Sequence, residues 1–391
     1  MDIKPIILSS QNKQNLLQVQ KSQGQQIYKL TFGLYQKLAK SQNLVFSPAS
    51  IYLALTMVAL GSKDKTLEEF KNLLNFNDVN QLAKSTSSLL KILEKDQKGI
   101  KTQIANKVYS GLPELGNEYQ QIVSQYLGSA IEKVNFVQYF EQVRNEINEW
   151  VQLVTQQKIK DLLPPGSLNQ STAMVLVNAI YFKGEWQKQF DKKKTQKLDF
   201  FLEYANAGSK IKADIMVAED YFDYYEDGNF QYVQIPYKGG EYSMEILLPR
   251  TSIQQFEEMV SDQTFLKARV NKLNKKLKLY LPKFKIQPES VIDLQQILKE
   301  LGIINAFSNN ADFSFMDPSK KINLSNVYHK SMIEVNEEGA EAAAATAAVM
   351  QLSIKKDPQV LCNKPFIYSI THIPSQTILF LGKVTDPTKI S

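Results

Sequence analysis

Residues 337 to 348 read Glu337-Glu338-Gly339-Ala340-Glu341-Ala342-Ala343-Ala344-Ala345-Thr346-Ala347-Ala348, a stretch of almost uniformly small residues. Alanine has the highest helix propensity, so the stretch taken alone is compatible with an alanine-rich helix. However, it lies between apolar, strand-like segments, and it carries no hydrophobic stripe that would fix a helix face to a core. We therefore interpret it as an exposed segment rather than as a helix packed on the core.

The same stretch has a distinctive pattern when it is read as a β-strand. Side chains alternate between the two faces of a strand, which places on one face Ala340, Ala342, Ala344, Thr346, Ala348 and Met350. This set is uncharged and mostly small, and the one charged side chain, Glu341, falls on the other face. Small side chains can enter between existing strands with little overpacking, and Gly339 supplies backbone freedom. The pattern predicts a segment that can join a sheet as an extra strand.

The rest of the chain predicts helices and strands without regular alternation. Apolar residues recur at helical spacing in six regions, 27–38, 51–60, 67–74, 82–93, 118–127 and 142–156. Strand-like apolar runs come mainly later, at 173–182, 242–248, 366–370 and 377–382. The run at 173–182 is almost continuously apolar, as expected of a strand that is buried on both faces. Helices first and strands later favour the α+β class over a doubly wound sheet.

Composition indicates one large domain. The chain has 391 residues, of which 43% are hydrophobic and 22% are charged, and no linker-like segment divides it. We predict a polar N-terminal extension at residues 1–25 and a single domain at residues 26–391. The net charge of +6 implies no partner by itself. Lysines and leucines alternate near the end of the stretch 267–285, which favours a strand with one solvated face over a nucleic-acid site.

Cysteine usage and hydropathy indicate the compartment. The single cysteine, Cys362, excludes an internal disulfide bond and fits a reducing compartment. Residues 1–20 lack the basic start and apolar run of a secretory signal. No apolar run approaches the roughly 20 residues needed to span a bilayer. We predict a cytoplasmic monomer with no membrane or nucleic-acid partner.

Catalytic signals are scarce. The chain has two histidines, His329 and His372, and no Cys/His group with zinc spacing, so we expect no metal site and no cofactor. Phosphate-binding, dinucleotide-binding and serine-nucleophile motifs are absent from the sequence. One enzymatic interpretation pairs Cys362 as nucleophile with His372 as base. A lone cysteine among strand residues is more often a small buried hydrophobe, so we do not expect an enzyme.

The chain resembles a serpin over roughly residues 26–391. The stretch from Asn336 to Thr346 is very similar to the hinge of inhibitory serpins. Other stretches resemble family motifs in the same order, among them Asn43-Leu44-Val45-Phe46-Ser47-Pro48-Ala49-Ser50-Ile51, Asn178-Ala179-Ile180-Tyr181-Phe182-Lys183-Gly184-Glu185-Trp186, Leu281-Pro282-Lys283-Phe284, Asn363-Lys364-Pro365-Phe366 and Phe380-Leu381-Gly382. So many ordered matches make the resemblance specific.

The resemblance implies a fold and a mechanism. The fold would contain three β-sheets and eight or nine helices, with an exposed reactive-centre loop at about residues 337–360 above a central five-stranded sheet. A target serine or cysteine peptidase would attack this loop and become covalently attached to it. The hinge, residues 337–346, would then enter the central sheet as a new strand and carry the peptidase to the opposite pole. The chain would thus be a suicide-substrate inhibitor whose native state is a kinetic trap.

The resemblance also assigns roles to single residues. Ser47, Ser50, Asn178 and His329 resemble the polar shutter cluster beneath the centre of the sheet, although ordinary hydrogen bonding in the core would also explain them. Trp186 resembles the tryptophan of the breach, where insertion starts, and it could equally serve as an aromatic core anchor. Each of these residues therefore has a structural interpretation beside the functional one.

The cleaved bond is less well defined. The family's usual spacing from the hinge glycine leads to the bond between Ser353 and Ile354, whereas the local pattern slightly favours the bond between Leu352 and Ser353. Cleavage after Leu352 suits a chymotrypsin-like or elastase-like peptidase, and cleavage after Ser353 suits a papain-like cysteine peptidase. A trypsin-like enzyme could instead cut after Lys355 or Lys356.

Two further points bear on inhibition. Inhibitory relatives most often carry Thr or Ser directly after the hinge glycine, where this chain has Ala340. Alanine is small and uncharged, so we expect insertion to survive. The alternative function is that of a non-inhibitory serpin with a chaperone, storage or carrier role. The scattered lysines at 91–107 form no distinctive site for a polysaccharide activator.

Overall fold

The computed structural model describes residues 24–40, 42–95, 98–112, 114–128, 131–202, 209–288, 290–318, 322–338 and 357–390. Nine α-helices occur in these ranges: α1 Gly24–Leu38, α2 Pro48–Leu60, α3 Asp64–Leu74, α4 Val79–Glu94, α5 Asn117–Leu127, α6 Phe136–Val154, α7 Ile253–Glu257, α8 Asp262–Asn271 and α9 Gln295–Glu300. Two short 3₁₀ turns occupy Lys192–Lys194 and Asn305–Phe307. The six predicted helices correspond to α1 through α6.

The described strands number fifteen: β1 Leu44–Phe46, β2 Ile100–Ser110, β3 Ile131–Lys133, β4 Met174–Gly184, β5 Gln196–Phe201, β6 Lys210–Glu226, β7 Phe230–Pro236, β8 Tyr242–Pro249, β9 Leu273–Pro282, β10 Phe284–Ile286, β11 Ile292–Asp293, β12 Asn326–Val335, β13 Gln359–Leu361, β14 Phe366–His372 and β15 Thr377–Val384. The four predicted strand regions correspond to β4, β8, β14 and β15. The α+β class is confirmed.

Hydrogen bonds join these strands into two sheets. The six-stranded sheet has the order β10-β12-β4-β2-β3, with β11 paired to β12. The nine-stranded sheet has the order β1-β15-β14-β8-β7-β6-β9-β13, with β5 paired to β6. The long strand β6 pairs with β5 from Lys210 to Ile215, with β9 from Ile215 to Tyr224 and with β7 from Asp223 to Glu226. Two of the three predicted sheets are therefore continuous with each other through β6.

The six-stranded sheet is buried on both faces, which explains the continuous apolar run at β4. Met174, Leu176 and Ile180 belong to the main core, where the fully buried helix α2 also lies. Val175 and Val177 belong to a second cluster that covers the opposite face of the sheet, formed with α6 and the segment after it. The predicted two-sided burial of this strand is confirmed.

The lysine-rich strand β9 has one buried and one solvated face, as its alternation predicts. Leu277, Leu279 and Leu281 are fully buried. On the other face Lys276 pairs with Glu219 of β6 at 2.9 Å. Acidic residues of the neighbouring strand thus neutralise part of the positive charge.

A buried ion pair joins α8 to the nine-stranded sheet. Arg269 donates from Nε and Nη2 to the two carboxylate oxygens of Glu245, at 2.6 Å each. The hydroxyls of Tyr232, Ser369 and Thr371 also donate to this carboxylate, at 2.6–2.7 Å. Burial alone would raise the pKa of Glu245. Arg269 and the hydroxyl donors outweigh burial and lower the pKa to about 2. The carboxylate is therefore charged and fully hydrogen-bonded inside the core.

Candidate functional site

The central feature of the six-stranded sheet is the direct contact between β4 and β12. These strands are parallel neighbours with eight register pairs, from Asn326 opposite Val175 to Ile333 opposite Phe182, and we call this contact the seam. Parallel pairing is slightly less stable per residue than antiparallel pairing. The chain leaves the end of β12 directly into Asn336, Glu337 and Glu338. The seam thus lies beside the strand that leads into the predicted hinge.

The four predicted shutter residues meet at the middle of the seam. Asn178 of β4 lies opposite His329 of β12, and Asn178 also lies opposite Asn106 of β2. His329 Nδ1 contacts Asn178 Oδ1, and His329 Nε2 accepts a hydrogen bond from the Ser47 backbone N at 3.1 Å. Asn178 Nδ2 donates to Ser50 Oγ and to Asn106 Oδ1. A row of polar side chains therefore crosses three strands and ends on α2.

The shutter cluster is built from neutral groups. His329 is fully buried, and burial lowers its pKa to about 3. Because Nε2 accepts a hydrogen bond, Nδ1 carries the proton and donates a hydrogen bond to Asn178 Oδ1. Ser47 Oγ caps the start of α2 by accepting from Ser50 N at 3.2 Å, and it donates to the Leu379 carbonyl at 2.6 Å. Separation of β4 from β12 would break the bond between Asn178 and His329.

Trp186, the predicted breach residue, lies just beyond the end of β4. It is 2% exposed and stacks on Tyr237, with ring centroids 4.5 Å apart and an interplanar angle of 7°. Its indole Nε1 donates to the Asn336 carbonyl at 2.8 Å. Trp186 is thus both an aromatic anchor and a direct contact of the residue that precedes the hinge.

Glu337, the first residue of the predicted hinge, is held by three groups. The Phe190 backbone N donates to its carbonyl at 2.9 Å, and Thr195 Oγ1 donates to its carboxylate at 2.8 Å. Lys283 Nζ lies 3.0 Å from the same carboxylate. Partial burial raises the pKa of Glu337, but the hydrogen bonds from Thr195 and Lys283 outweigh this and lower it below its usual value. The hinge therefore starts from a charged, multiply bonded anchor.

Glu338, the second hinge residue, continues this attachment. It forms an ion pair with Lys192, and its carbonyl accepts from the Trp186 backbone N at 3.4 Å. Its own backbone N donates to Asn336 Oδ1 at 3.1 Å. Glu337 and Glu338 follow β12, and both are thus bound to the segment that follows β4, the other strand of the seam.

The segment 155–168, which we call the strap, follows α6 along the outer face of the sheet. Tyr328 of β12 donates from its hydroxyl to the Ser167 carbonyl at 3.1 Å, and Lys330 Nζ donates to the Lys160 carbonyl at 3.1 Å. Asn148 of α6 clamps the strap by bonding both backbone groups of Leu163. The strap is therefore tied to one strand of the seam and to α6.

The other predicted site residues lie outside the described residues. These are the hinge residues Gly339, Ala340, Glu341, Ala342, Ala343, Ala344, Ala345 and Thr346, and the reactive-bond residues Leu352, Ser353 and Ile354. Three residues that sequence reasoning missed are Asn106 in the shutter row and Thr195 and Lys283 at the hinge anchor. The signal for Asn106 was a polar residue within a long strand. Thr195 carried no signal, because its partner is distant in sequence. Lys283 stood inside the family-like stretch Leu281-Pro282-Lys283-Phe284, but no role was assigned to it.

The enzymatic interpretation of Cys362 and His372 finds no support in the contacts of these residues. Cys362 is fully buried, and burial raises the pKa of its thiol. His372 Nδ1 contacts Ser375 Oγ at 2.8 Å, and burial lowers its pKa to about 4. Within the described ranges no cluster of three or more His, Cys, Asp or Glu side chains could hold a metal ion. Within the same ranges no helix is long and apolar enough to cross a membrane.

The two-sheet α+β fold, with its parallel seam between β4 and β12, agrees with one family of known proteins. The family model described as "Serpin (serine protease inhibitor)" matches residues 25–387. The chain belongs to the serpin family, and it is a member of a family of inhibitors rather than an enzyme.

Relatives and solved structures agree with this assignment. The chain is 35% identical to Serpin B3 of Homo sapiens over 384 residues, which cover 92% of this chain and 98% of that protein. It is 36% identical to leukocyte elastase inhibitor A of Rattus norvegicus over 372 residues, which cover 90% and 96%. Among solved structures, uncleaved ovalbumin matches with a TM-score of 0.83 and 26% identity, over 93% of this chain and 99% of that chain. Arabidopsis AtSerpin1 in its native stressed conformation matches with a TM-score of 0.83 and 28% identity, over 95% and 99%.

Proposed function

We propose that this serpin inhibits an endopeptidase as a suicide substrate. The peptidase attacks the loop that connects Glu338 to Asp357, and its nucleophile becomes acylated by the residue before the cleaved bond. The freed hinge segment, residues 337–346, then enters the seam between β4 and β12. The attached peptidase is carried along and its active site is distorted before the acyl bond is hydrolysed.

One observation carries this proposal: β12 runs parallel to β4, in direct contact with it, and leads straight into the hinge. A segment that folds back from the end of β12 runs antiparallel to β12 and therefore antiparallel to β4 as well. Insertion would replace one parallel pairing with two antiparallel pairings, which are more stable per residue. Cleavage is required first, because the intact loop is tied at both ends.

The dimensions of the sheet are compatible with this strand exchange. Strand β4 has 11 residues and β12 has 10 residues. The inserted segment of roughly 14–16 residues would be about 50 Å long at about 3.3 Å per residue. Its first part would find partners on both sides, and the remainder would extend beyond the strand ends. The small side chains at Ala340, Ala342, Ala344 and Thr346 suit entry into a sheet that is already covered on both faces.

We also propose a class for the target peptidase. Two relatives, from Rattus norvegicus and Xenopus laevis, are named as leukocyte elastase inhibitors. Cleavage after Leu352 would place an apolar side chain in the pocket of a chymotrypsin-like or elastase-like peptidase. Cleavage after Ser353 would suit a papain-like peptidase, with Leu352 as the second residue upstream. We favour a serine peptidase as the target. The inhibitor would be a monomer and would meet this peptidase inside the cell.

A panel of elastase-like, trypsin-like and papain-like peptidases tests the proposal. Each enzyme is incubated with the full chain and analysed on a denaturing gel, and the released C-terminal peptide is identified by mass spectrometry. We expect a covalent band at the summed mass with at least one serine peptidase, and a peptide that begins at Ser353. A peptidase inactivated at its nucleophile serves as control and should give no such band. Nicking without a covalent band by every peptidase would instead support a chaperone, storage or carrier role.

Thermal unfolding provides a second, independent test. A sample clipped within the loop should melt at a higher temperature than an intact sample, because the inserted strand adds antiparallel pairing to the sheet. Equal melting temperatures would contradict insertion even if a peptidase were inhibited by some other route.

A further inference from the structure

The exposed face of β6, β9 and β13 lies beside the point where the loop rejoins the sheet. Register pairs place Tyr221 of β6 opposite Lys276 of β9 and Glu219 of β6 opposite Lys278 of β9, so all four side chains lie on the same solvated face of the two strands. Tyr221 is 59% exposed. The 3₁₀ turn with Lys193 and Lys194 stands next to this surface, and together they enclose a cleft of about 330 Å³ above Val217. We call this surface the basic face, defined by Lys193, Lys194, Lys276 and Lys278.

Charge on the basic face is only partly balanced. Lys276 pairs with Glu219 at 2.9 Å and with Asp357 at 3.4 Å. Lys278 Nζ instead lies over the ring of Tyr280, 5.2 Å from its centroid. Among the described residues no carboxylate lies within 4 Å of the ammonium groups of Lys193, Lys194 or Lys278. The four lysines of the basic face therefore stand against two carboxylates, and this surface has a net positive charge.

The basic face is within reach of a peptidase bound to the loop. Strand β13 pairs with β9, and the Lys278 backbone N donates to the Pro358 carbonyl at 3.0 Å. The proposed cleaved bonds precede Asp357 by at most five residues, which limits the distance to roughly 17 Å. A standard protein interface covers about 800 Å² per partner, or roughly 16 Å in every direction from its centre. A peptidase centred on the bond would therefore reach this face unless the connecting residues were fully extended.

We propose that the basic face is a docking surface for an acidic region beside the active-site cleft of the target peptidase. The lysines raise the rate of encounter by electrostatic attraction, and Tyr221 provides an exposed aromatic contact at the edge. The carboxylates of Glu219 and Asp357 interrupt the positive charge. This arrangement suits a folded protein with mixed surface charge better than a continuous polyphosphate chain. The inference rests on the proposed function and adds that the inhibitor prefers peptidases with an acidic surface beside the active-site cleft.

Kinetics with matched charge variants test this inference. The face variant carries Lys193→Ala, Lys194→Ala and Lys278→Ala, and the control carries Lys65→Ala, Lys84→Ala and Lys91→Ala, three exposed lysines on α3 and α4. The rate constant for covalent complex formation with the peptidase from the panel is measured at about 0.02 M and about 1 M salt. We expect a roughly tenfold lower rate for the face variant at low salt, less than a twofold change for the control, and no difference at high salt. Equal rates for the two variants at low salt would overturn the inference.

A substitution with the opposite sign adds a control that a structural defect would not reproduce. Glu219→Gln removes a negative charge from the cleft. We expect its rate at low salt to rise about twofold to threefold, with the fraction of trapped peptidase unchanged. A decrease in the rate would contradict the electrostatic role of this face.

A peptide probe separates this inference from the proposed function. Binding of fluorescein-labelled octaglutamate is measured by fluorescence anisotropy at low salt, and no peptidase is needed. At least fivefold weaker binding by the face variant than by the control would support the basic face even if no covalent band were seen. Equal binding would overturn it. Tighter binding of a single-stranded DNA 20-mer than of octaglutamate, lost in the face variant, would identify a nucleic acid and overturn the peptidase partner.

Discussion

Two buried polar clusters cross the two sheets of this serpin, and they are built in opposite ways. At the seam, the neutral side chains of Asn178 and His329 connect parallel strands that must part if the loop is to insert. In the nine-stranded sheet, the charged pair Glu245 and Arg269 connects α8 to antiparallel strands. Breaking a neutral buried hydrogen bond costs about 1–3 kcal/mol, whereas uncovering one partner of a buried ion pair costs about 3–5 kcal/mol. The comparison indicates that one region can open while the other remains a fixed support.

The largest expected effect concerns the seam. Ala344→Arg should convert the inhibitor into a substrate, because an arginine would have to enter the buried face of the sheet. The covalent band should fall to less than about one tenth of its wild-type intensity on a denaturing gel, while the native melting temperature stays unchanged. The matched control is Ala344→Ser, which keeps a small, uncharged side chain at the same position and should leave trapping unchanged. Undiminished trapping by Ala344→Arg would show that the seam does not admit this face of the loop.

The second prediction concerns the fixed region. Glu245→Ala should lower the free energy of unfolding by about 3–5 kcal/mol, because it leaves Arg269 buried without its counter-charge. Urea unfolding followed by tryptophan fluorescence measures this loss. The double variant Glu245→Leu with Arg269→Met removes both charges and should recover most of the stability. A loss below about 1 kcal/mol for Glu245→Ala would remove the distinction between the two clusters.

The third prediction is a pH dependence that originates in the two histidines. His329 and His372 have pKa values of about 3 and about 4 in the folded protein, compared with 6.5 in the unfolded chain. Between pH 6.5 and 5 the unfolded chain therefore binds more protons, and the free energy of unfolding falls as the pH falls. The slope should approach about 1.4 kcal/mol per pH unit for each histidine. Glutamates and aspartates with unfolded pKa values near 4 contribute mainly below this window.

Single substitutions apportion this slope between the seam and the rest of the molecule. His329→Gln and His372→Gln should each reduce the slope near pH 5 by about half, measured by urea unfolding at several pH values. An unchanged slope in His329→Gln would mean that the shutter histidine is already protonated in the native protein.

The smallest expected effect lies at the upper end of the seam. Lys283→Ala should lower the free energy of unfolding by less than about 1 kcal/mol, because the lysine side chain is 39% exposed and Glu337 keeps its bond to Thr195. Lys65→Ala, at an exposed position, provides the baseline in the same urea experiment. A loss above about 2 kcal/mol would show that the hinge anchor contributes as much as the ion pair of the other sheet.

Much of the fold could be predicted, because periodicity alone indicates which faces are buried. The continuous apolar run of β4 and the alternation in β9 each led to the correct burial. Boundaries were less certain at α6, which begins at Phe136 rather than at residue 142, because the capping side chain of Asn135 was not recognised. The helix also ends at Val154, just before Gln156 adopts a positive φ of 49°.

The site could be predicted only where a family motif marks it. Ser47, Ser50, Asn178 and His329 do meet, as the resemblance implies, whereas their role in gating the seam stays a prediction. The ion pair was missed because Glu245 lies within an apolar strand and its partner Arg269 is 24 residues away. Nothing in a single sequence specifies which distant cation meets a buried carboxylate. A lone glutamate in such a run was nevertheless a signal that a partner must exist.

The burial of Cys362 has a practical consequence for following loop movement. The chain contains a single thiol, it is fully shielded from solvent, and its pKa is raised, so it should react slowly with maleimide dyes. An engineered surface cysteine could then be labelled selectively without altering the native one. Two such positions, one in the bait loop and one at the far pole, would turn the translocation of a trapped peptidase into a change in energy transfer between dyes.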